Sequence, residues 1–158
     1  WTIFRPSIIY GPGDGFISLL ADVIRSYPVI PVAGDGSSRF QPIQVADVAE
    51  SIRSAIDDPA SSGQTFELAG PDVYTYDQLL DLVAAGIGKK KRKIHLPVNL
   101  VKLAVTASKP LPEKLRPPVT HEQLKMLAID NTSEKPATEQ LIGRPPLRLE
   151  ENLTYLNH

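Results

Sequence analysis

The 158-residue sequence contains no cysteine, which excludes disulfides, thiolate metal sites and a catalytic thiol. It also lacks an apolar run near the roughly 20 residues that a membrane-spanning helix needs. Neither sign of charge is in excess, since 17 Lys and Arg stand against 18 Asp and Glu. Because nucleic-acid backbones require a basic surface, nucleic acid is not an expected partner. These absences predict a cytoplasmic protein with no integral membrane segment.

Metal-binding and catalytic patterns are missing as well. The three histidines, His95, His121 and His158, are too scattered along the chain to indicate a metal site or a triad. Asp47 stands at a predicted helix start, where an N-cap role is favoured over a catalytic one. The sequence therefore predicts no metal site, and its own residues offer no catalytic constellation.

Hydrophobic periodicity is what the sequence does contain. Apolar residues recur at helical spacing over 16–27, 47–57 and 76–87, the last with Thr75 as N-cap. Further predicted helices begin at Pro97, at a capping box over 120–123, at Thr138 and at Leu149, the last ending near Leu156. Strand-like stretches cover 2–6, 39–45 with an edge or bulge at Pro42, 64–69 and 94–96. This alternation is typical of an α/β protein.

The opening strand is the most informative of these elements. Pro6 cannot donate to a sheet ladder, which suits the carboxyl end of a strand. Ligands of open α/β sheets bind at that end. The simpler interpretation, a core strand followed by an ordinary loop, stays open from this stretch alone. The sequence begins at Trp1, inside the strand-like run, so we expect further residues upstream.

Three motifs occur in a specific order: 5–12 (RPSIIYGP), 34–36 (GDG) followed by 41–49 (QPIQVADVA), and 66–71 (FELAGP). Together they resemble the C-terminal half of extended and atypical short-chain dehydrogenase/reductases, the NAD(P)-dependent epimerase/dehydratase-like proteins. The stretches 120–130 and 141–147 resemble the atypical branch that includes the nucleotide-binding accessory subunit of respiratory complex I. The resemblance runs over essentially the whole chain.

This resemblance implies the C-terminal part of a Rossmann-type fold with a small mixed α/β substrate-binding domain. Residues 1–10 would end the Rossmann sheet and 64–74 would supply an edge strand. Residues 11–63 and 75–158 would form the substrate-binding segments, the second of them helical. The implied cofactor, in the full-length parent, is NAD or NADP.

The implied site residues form two groups. Those lining the nicotinamide end would be Pro6, Ser7, Ile8 and Ile9, and those facing a small-molecule substrate would be Phe16, Gln41, Pro42 and Ile43. Three features depart from the family. Gly11-Pro12-Gly13 cannot serve as the phosphate-binding glycine motif, and no Tyr is followed four residues later by Lys. The Arg of sugar-nucleotide members falls on Phe40, with Arg39 pointing to the opposite face.

Two functions remain open. The chain is either the substrate-binding half of an NAD(P)-dependent oxidoreductase or epimerase-like enzyme, or part of a non-catalytic nucleotide-binding subunit, peripheral to a membrane complex. In both cases the chain alone should be inactive. It should also self-associate or pair with the missing N-terminal half through the uncovered strands 2–6 and 64–69. The basic run 89–93 reads as a solvated loop, with binding of anionic lipid or phosphate as the alternative.

Overall fold

The computed structural model describes residues 1–107 and 129–157 of the chain. Within these ranges, short strands and helices alternate along the sequence. The strands are β1 (Ile3–Pro6), β2 (Ile9–Tyr10), β3 (Val29–Ala33), β4 (Arg39–Phe40), β5 (Ile43–Gln44), β6 (Thr65–Leu68), β7 (Tyr74–Thr75) and β8 (Arg92–Leu96). The α-helices are α1 (Ile17–Ser26), α2 (Val45–Asp57), α3 (Tyr76–Gly86), α4 (Val98–Ala107) and α5 (Thr138–Ile142), and 3-10 turns cover Pro59–Ser61 and Thr154–Asn157.

The pair β1 and β6 confirms the two strands predicted over 2–6 and 64–69. They run parallel, with Ile3 opposite Thr65 and Pro6 opposite Leu68. The rings of Phe4 and its register partner stack at 5.8 Å between centroids. One face of this pair packs on a small apolar cluster that includes residues of α2 and α5. Both strands therefore end together, at the same edge of the fold.

The remaining strands form three further pairs, β2 with β5 and β3 with β8 in parallel, and β4 with β7 antiparallel. The single strand predicted over 39–45 is divided into β4 and β5, which pair with different partners. The break falls at Gln41 and Pro42, because a proline has no N–H with which to continue the ladder. Because of this division, β4 pairs with β7 and β5 pairs with β2.

The main core lies between α1, α3 and β3 and is closed by the C-terminal segment. The apolar stripe predicted for α3 is confirmed, since Leu79, Leu80 and Val83 are buried. Its N-cap is confirmed as well. Thr75 accepts from the Gln78 backbone N–H at 3.2 Å, and the Gln78 side chain accepts from the Thr75 N–H at 2.8 Å.

Two local predictions are wrong. Helix α2 begins at Val45 with Gln44 as its N-cap, so Asp47 lies inside the first turn and is not the cap. The strand β5 runs directly into the helix, which moves the helix start two residues upstream. The helix predicted over 149–156 is instead a turn followed by the 3-10 segment. The predicted capping box over 120–123 and most of the stretch 120–130 lie outside the described residues.

The β1–β6 pair is open on both edges, since no other described strand pairs with it. Beside it, Trp1 is 75% and Ile3 45% exposed. Two parallel strands are rarely stable without neighbours, because parallel sheets are normally covered on both faces. Self-association of the chain through these edges stays a prediction.

Candidate ligand site at the carboxyl ends of β1 and β6

The candidate site is a cavity of about 200 Å³ at the carboxyl ends of β1 and β6. Its lining residues come from the two strand ends and from the segment 130–133: Arg5, Pro6, Ser7, Glu67, Leu68, Asp130, Asn131, Thr132 and Ser133. The ladder continues one residue beyond β1, because the Ser7 N–H donates to the Leu68 carbonyl at 2.8 Å. This is the position at which open parallel sheets bind their ligands.

Ser7 and Asn131 form the polar contact at the centre of this lining. The Ser7 hydroxyl donates to Asn131 Oδ1 at 2.6 Å. Asn131 is itself fixed by backbone bonds on both sides, donating to the Arg39 carbonyl at 2.7 Å and accepting from the Gln41 N–H at 3.0 Å. The Asn131 carboxamide is thus held against the Ser7 hydroxyl by backbone hydrogen bonds on either side of Phe40.

Asp130 anchors the same segment through Arg39. Its carboxylate accepts from the Arg39 backbone N–H and from Nε, each at 2.8 Å, and Nη2 lies 2.8 Å from Oδ2. These hydrogen bonds, the backbone one foremost, hold the pKa of Asp130 below its usual range. Because the guanidinium is engaged by Asp130, Arg39 is committed to positioning the segment.

Gln41 fixes the other side of the segment, and its side chain is 5% exposed. Its Nε2 donates to the Gly70 carbonyl at 2.8 Å, and its Oε1 accepts from the Ser133 N–H at 3.0 Å. The Ser133 hydroxyl in turn donates to Glu67 Oε2 at 2.6 Å. The amide of Gln41 therefore holds two backbone segments together beside the cavity.

The predicted site residues are brought only partly together. Pro6 and Ser7 line the cavity, whereas Ile8 is buried in the main core. Ile9 lies at a second cavity of about 230 Å³ over the 10–14 loop. Their assignment as nicotinamide contacts stays a prediction.

The predicted substrate-facing residues are packing residues in this structure. Phe16 lies 5.7 Å from the Phe40 ring, between centroids, at the margin of the main core. Pro42 and Ile43 are buried, the latter in the cluster beneath β1 and β6. Substrate contact by these residues and by Gln41 stays a prediction.

The Asp14 carboxylate occupies the Gly11 amide and two amides at the start of α1. That carboxylate accepts from the N–H groups of Phe16 at 3.0 Å and Ser18 at 2.9 Å, and from that of Gly11 at 3.3 Å. The Tyr155 hydroxyl donates to the same carboxylate at 2.5 Å. A phosphate would need those amides and would be repelled by the carboxylate, which agrees with the rejection of the Gly11–Gly13 loop as a phosphate cradle.

Four tyrosines, Tyr10, Tyr74, Tyr76 and Tyr155, are not suited to acid–base chemistry near neutral pH. Burial, aided by nearby carboxylates, raises the pKa of Tyr10, Tyr74 and Tyr155, and raises that of Tyr76 to about 12. A general acid or base works best with a pKa near the working pH. Among the described residues there is also no group of His, Asp and Glu that could hold a metal ion.

Asp47 has a structural role that sequence reasoning missed. Its fully buried carboxylate accepts from Arg144 Nη2 at 2.7 Å and from the Leu147 N–H at 2.7 Å. Arg144 also donates to Glu50 at 2.6 Å, and these hydrogen bonds raise the pKa of the guanidinium. The group fastens the C-terminal segment to α2.

The segment 130–133 was missed as part of the site. Its only sequence signal is a short polar run, Asp-Asn-Thr-Ser, directly after an apolar stretch. Such runs usually indicate a loop. Nothing in the local pattern predicts that this loop returns to the ends of strands more than 60 positions away.

Comparison with known proteins finds subunits of mitochondrial NADH dehydrogenase among the sequence relatives. No protein-family model matches the chain. A mitochondrial NADH dehydrogenase [ubiquinone] 1 alpha subcomplex subunit 9 from Arabidopsis thaliana is 36% identical over 102 residues, which are 64% of this chain and 25% of that protein. The chain spans about a quarter of the length of the curated relatives it matches.

Solved structures share the fold over almost the entire chain. UDP-glucose 4-epimerase from Thermotoga maritima, solved with UDP-glucose, has a TM-score of 0.64 and 20% identity, covering 99% of this chain and 44% of that one. The NAD complex of the Thermus thermophilus UDP-glucose 4-epimerase has a TM-score of 0.63 and 17% identity, covering 99% and 45%.

The fold is therefore that of the Rossmann-type epimerases and dehydratases of the short-chain dehydrogenase/reductase class. By sequence, the chain is similar to the complex I alpha subcomplex subunit 9 and to the 40 kDa subunit of Neurospora crassa. In the described ranges, no helix combines the length and the apolar character needed to cross a membrane.

Proposed function

We propose that this chain is the C-terminal part of a longer, non-catalytic NAD(P)-binding protein, and that it supplies the wall around one end of the dinucleotide. The observation that carries the proposal is the polar cavity at the paired carboxyl ends of β1 and β6. At about 200 Å³ it is smaller than the roughly 300–1,000 Å³ typical of complete ligand pockets. The remainder of the dinucleotide would lie against residues outside this chain.

The lining fits the nicotinamide end by its chemistry. A carboxamide needs one acceptor and one donor, and Ser7 and Asn131 offer both within one fixed pair. Arg5, exposed on the strand end, adds a positive charge beside the cavity. When bound, NAD(P) would supply hydride chemistry, whereas the residues present would bind and orient it.

The non-catalytic role is favoured over the enzyme by the same region. The Arg expected in sugar-nucleotide members is replaced by Phe40, which is fully buried, and Arg39 is engaged by Asp130. The sequence relatives carry the name of a respiratory complex subunit, which supports a role within a larger assembly. Binding of a separate small-molecule substrate and a cytoplasmic location stay predictions.

Calorimetric titration of NADH and NADPH into the full-length protein that contains this chain tests the binding part. We expect a micromolar dissociation constant for one of them, weakened about tenfold in Asn131→Leu, which corresponds to about 1.4 kcal/mol. Asn152→Leu, at a site remote from the cavity, is the matched control and should bind like wild type. Equal binding by wild type and Asn131→Leu, or no binding at all, would contradict the proposal.

An activity assay tests the non-catalytic part separately. The full-length protein, mixed with the nucleotide that it binds and with UDP-glucose, should neither epimerise the sugar nor change the absorbance at the nicotinamide band. Turnover that disappears in the Asn131→Leu variant would support the enzyme in place of the accessory subunit. That result would support the cavity as the dinucleotide site and would contradict the non-catalytic role.

A further inference from the structure

The basic run 89–93 contains cations that are paired within the fold and cations that are not. Lys91 Nζ donates to the Tyr27 carbonyl at 2.7 Å, and Lys93 donates to Asp81 at 2.8 Å and to the Asp77 carbonyl at 3.0 Å. Lys89, Lys90 and Arg92 are exposed, and none of their side chains has a hydrogen-bond or ion-pair partner among the described residues. Three of the five charges are thus free to meet an anion.

These cations do not serve the end of α3, which is the ordinary role of lysines at a helix C-terminus. The last carbonyls of α3 are already satisfied by backbone N–H groups. Ile87 donates to Val83 at 3.1 Å, Gly88 to Ala85 at 3.0 Å and Lys89 to Ala84 at 2.8 Å. The ammonium groups of Lys89 and Lys90 are therefore not needed to cap the helix.

Beside them lies a cleft of about 520 Å³, larger than either cavity near β1 and β2. Ala84 and Ala85 give it apolar lining, and Lys89, Lys90 and Lys91 line it as well. Its one acidic residue, Asp81, is neutralised by Lys93. An apolar lining with a cationic border is complementary to an anion that carries apolar groups.

We infer that this cleft and the cations Lys89, Lys90 and Arg92 form a docking site for the phosphate headgroups of an anionic phospholipid surface. The exposed cations meet the headgroup phosphates, and the exposed Ala85 methyl group contacts the adjoining glycerol and upper acyl carbons. An anionic bilayer attracts each nearby Lys or Arg enough to change binding about fivefold. Three cations together provide about a hundredfold preference over a neutral bilayer.

Vesicle flotation with the full-length protein tests this inference. Vesicles of phosphatidylcholine containing 30 mol% phosphatidylserine should carry the protein upward, and pure phosphatidylcholine vesicles should not. The triple variant Lys89→Gln/Lys90→Gln/Arg92→Gln should lose about a hundredfold in affinity. The control Arg53→Gln/Lys135→Gln/Arg148→Gln removes the same charge elsewhere on the surface and should bind like wild type.

Two further experiments distinguish a lipid phosphate from free phosphate and test whether binding requires the cleft. A short-chain phosphatidic acid below its micelle concentration should compete with vesicles at far lower concentration than inorganic phosphate does. Ala85→Trp, which fills the cleft and keeps every cation, should weaken binding at least fivefold with unchanged circular dichroism. Equal loss in both triple variants, equal binding to neutral vesicles, or unaltered binding by Ala85→Trp would overturn the docking site.

Discussion

At the residue scale, Gly70 lies where two backbone segments meet beside the candidate site. A Cβ added there would stand 1.9 Å from the Pro42 carbonyl oxygen, so one backbone segment must move. We expect Gly70→Ala to lower the free energy of unfolding by about 3 kcal/mol, at the upper end of ordinary overpacking costs, measured by urea denaturation. Gly15→Ala is the control, because its added Cβ meets nothing within 4 Å, and it should change stability by less than about 0.5 kcal/mol.

Tyr76 gives a prediction about alkaline pH. It is 6% exposed, and burial, followed by the charge of Asp77, raises its pKa to about 12 from the ordinary value of about 10. The folded state therefore keeps the proton over a range in which the unfolded chain has lost it. The contribution of Tyr76 to the free energy of unfolding is therefore fully present below pH 10 and is lost as pH rises towards 12.

The comparison of wild type with Tyr76→Phe isolates this effect from the other tyrosines. Between pH 8 and pH 11 the wild type should lose about 1.4 kcal/mol more of its free energy of unfolding than the variant does. Urea titrations at both pH values measure the difference. Parallel losses in the two proteins would show that the folded state does not hold the Tyr76 proton more tightly.

At the scale of elements, the buried Asp47 joins α2 to the C-terminal segment. Asp47→Ala leaves the Leu147 N–H without its acceptor and Arg144 without one of its two carboxylates. We expect a loss of about 2–3 kcal/mol in the free energy of unfolding. The loosened segment should also be cut faster by trypsin after Arg148. Asp57→Ala removes an exposed carboxylate from the end of the same helix and should leave both the stability and the cleavage rate unchanged.

Elements with local signals were predictable from the sequence, and contacts between distant elements were not. Thr75 and Gln78 form a capping box within one turn, so the start of α3 can be read from four residues. The residues around Asp47 likewise predict an N-cap, but its observed partner Arg144 lies 97 positions away in the sequence. Because the pairing depends on how α5 packs on α2, no pattern around Asp47 contains it.

In the candidate site, too, the part with a local sequence signal was predictable and the part formed by distant segments was not. The carboxyl end of β1 was predictable, since Pro6 has no N–H to donate to the ladder and the family motif surrounds it. The opposite wall was not, because Asn131 approaches Ser7 from 124 positions away through a bridge to Phe40. The family resemblance implies that Gln41 faces substrate, and this stays a prediction; its hydrogen bonds to Gly70 and Ser133 depend on distant segments and could not be predicted from the local pattern.

At the scale of the whole molecule, the proposed function requires that β1 and β6 belong to a wider sheet that binds a dinucleotide at the carboxyl ends of its strands. The two strands carry a site at one end and have open edges within the described residues. The chain covers 41–45% of the solved structures that share its fold, which agrees with the proposal that further strands complete the sheet. In that arrangement the cavity would form one wall of a larger pocket.

Hydrogen–deuterium exchange of the full-length protein, with and without saturating NADPH or NADH, tests this claim most directly. We expect slower exchange in peptides that cover 5–8 and 130–133, because ligand contact closes the cavity that these two segments line. The peptide covering 59–64, at the opposite end of β6, should exchange equally in both states. Protection confined to other regions, with 5–8 and 130–133 unchanged at saturation, would contradict the account.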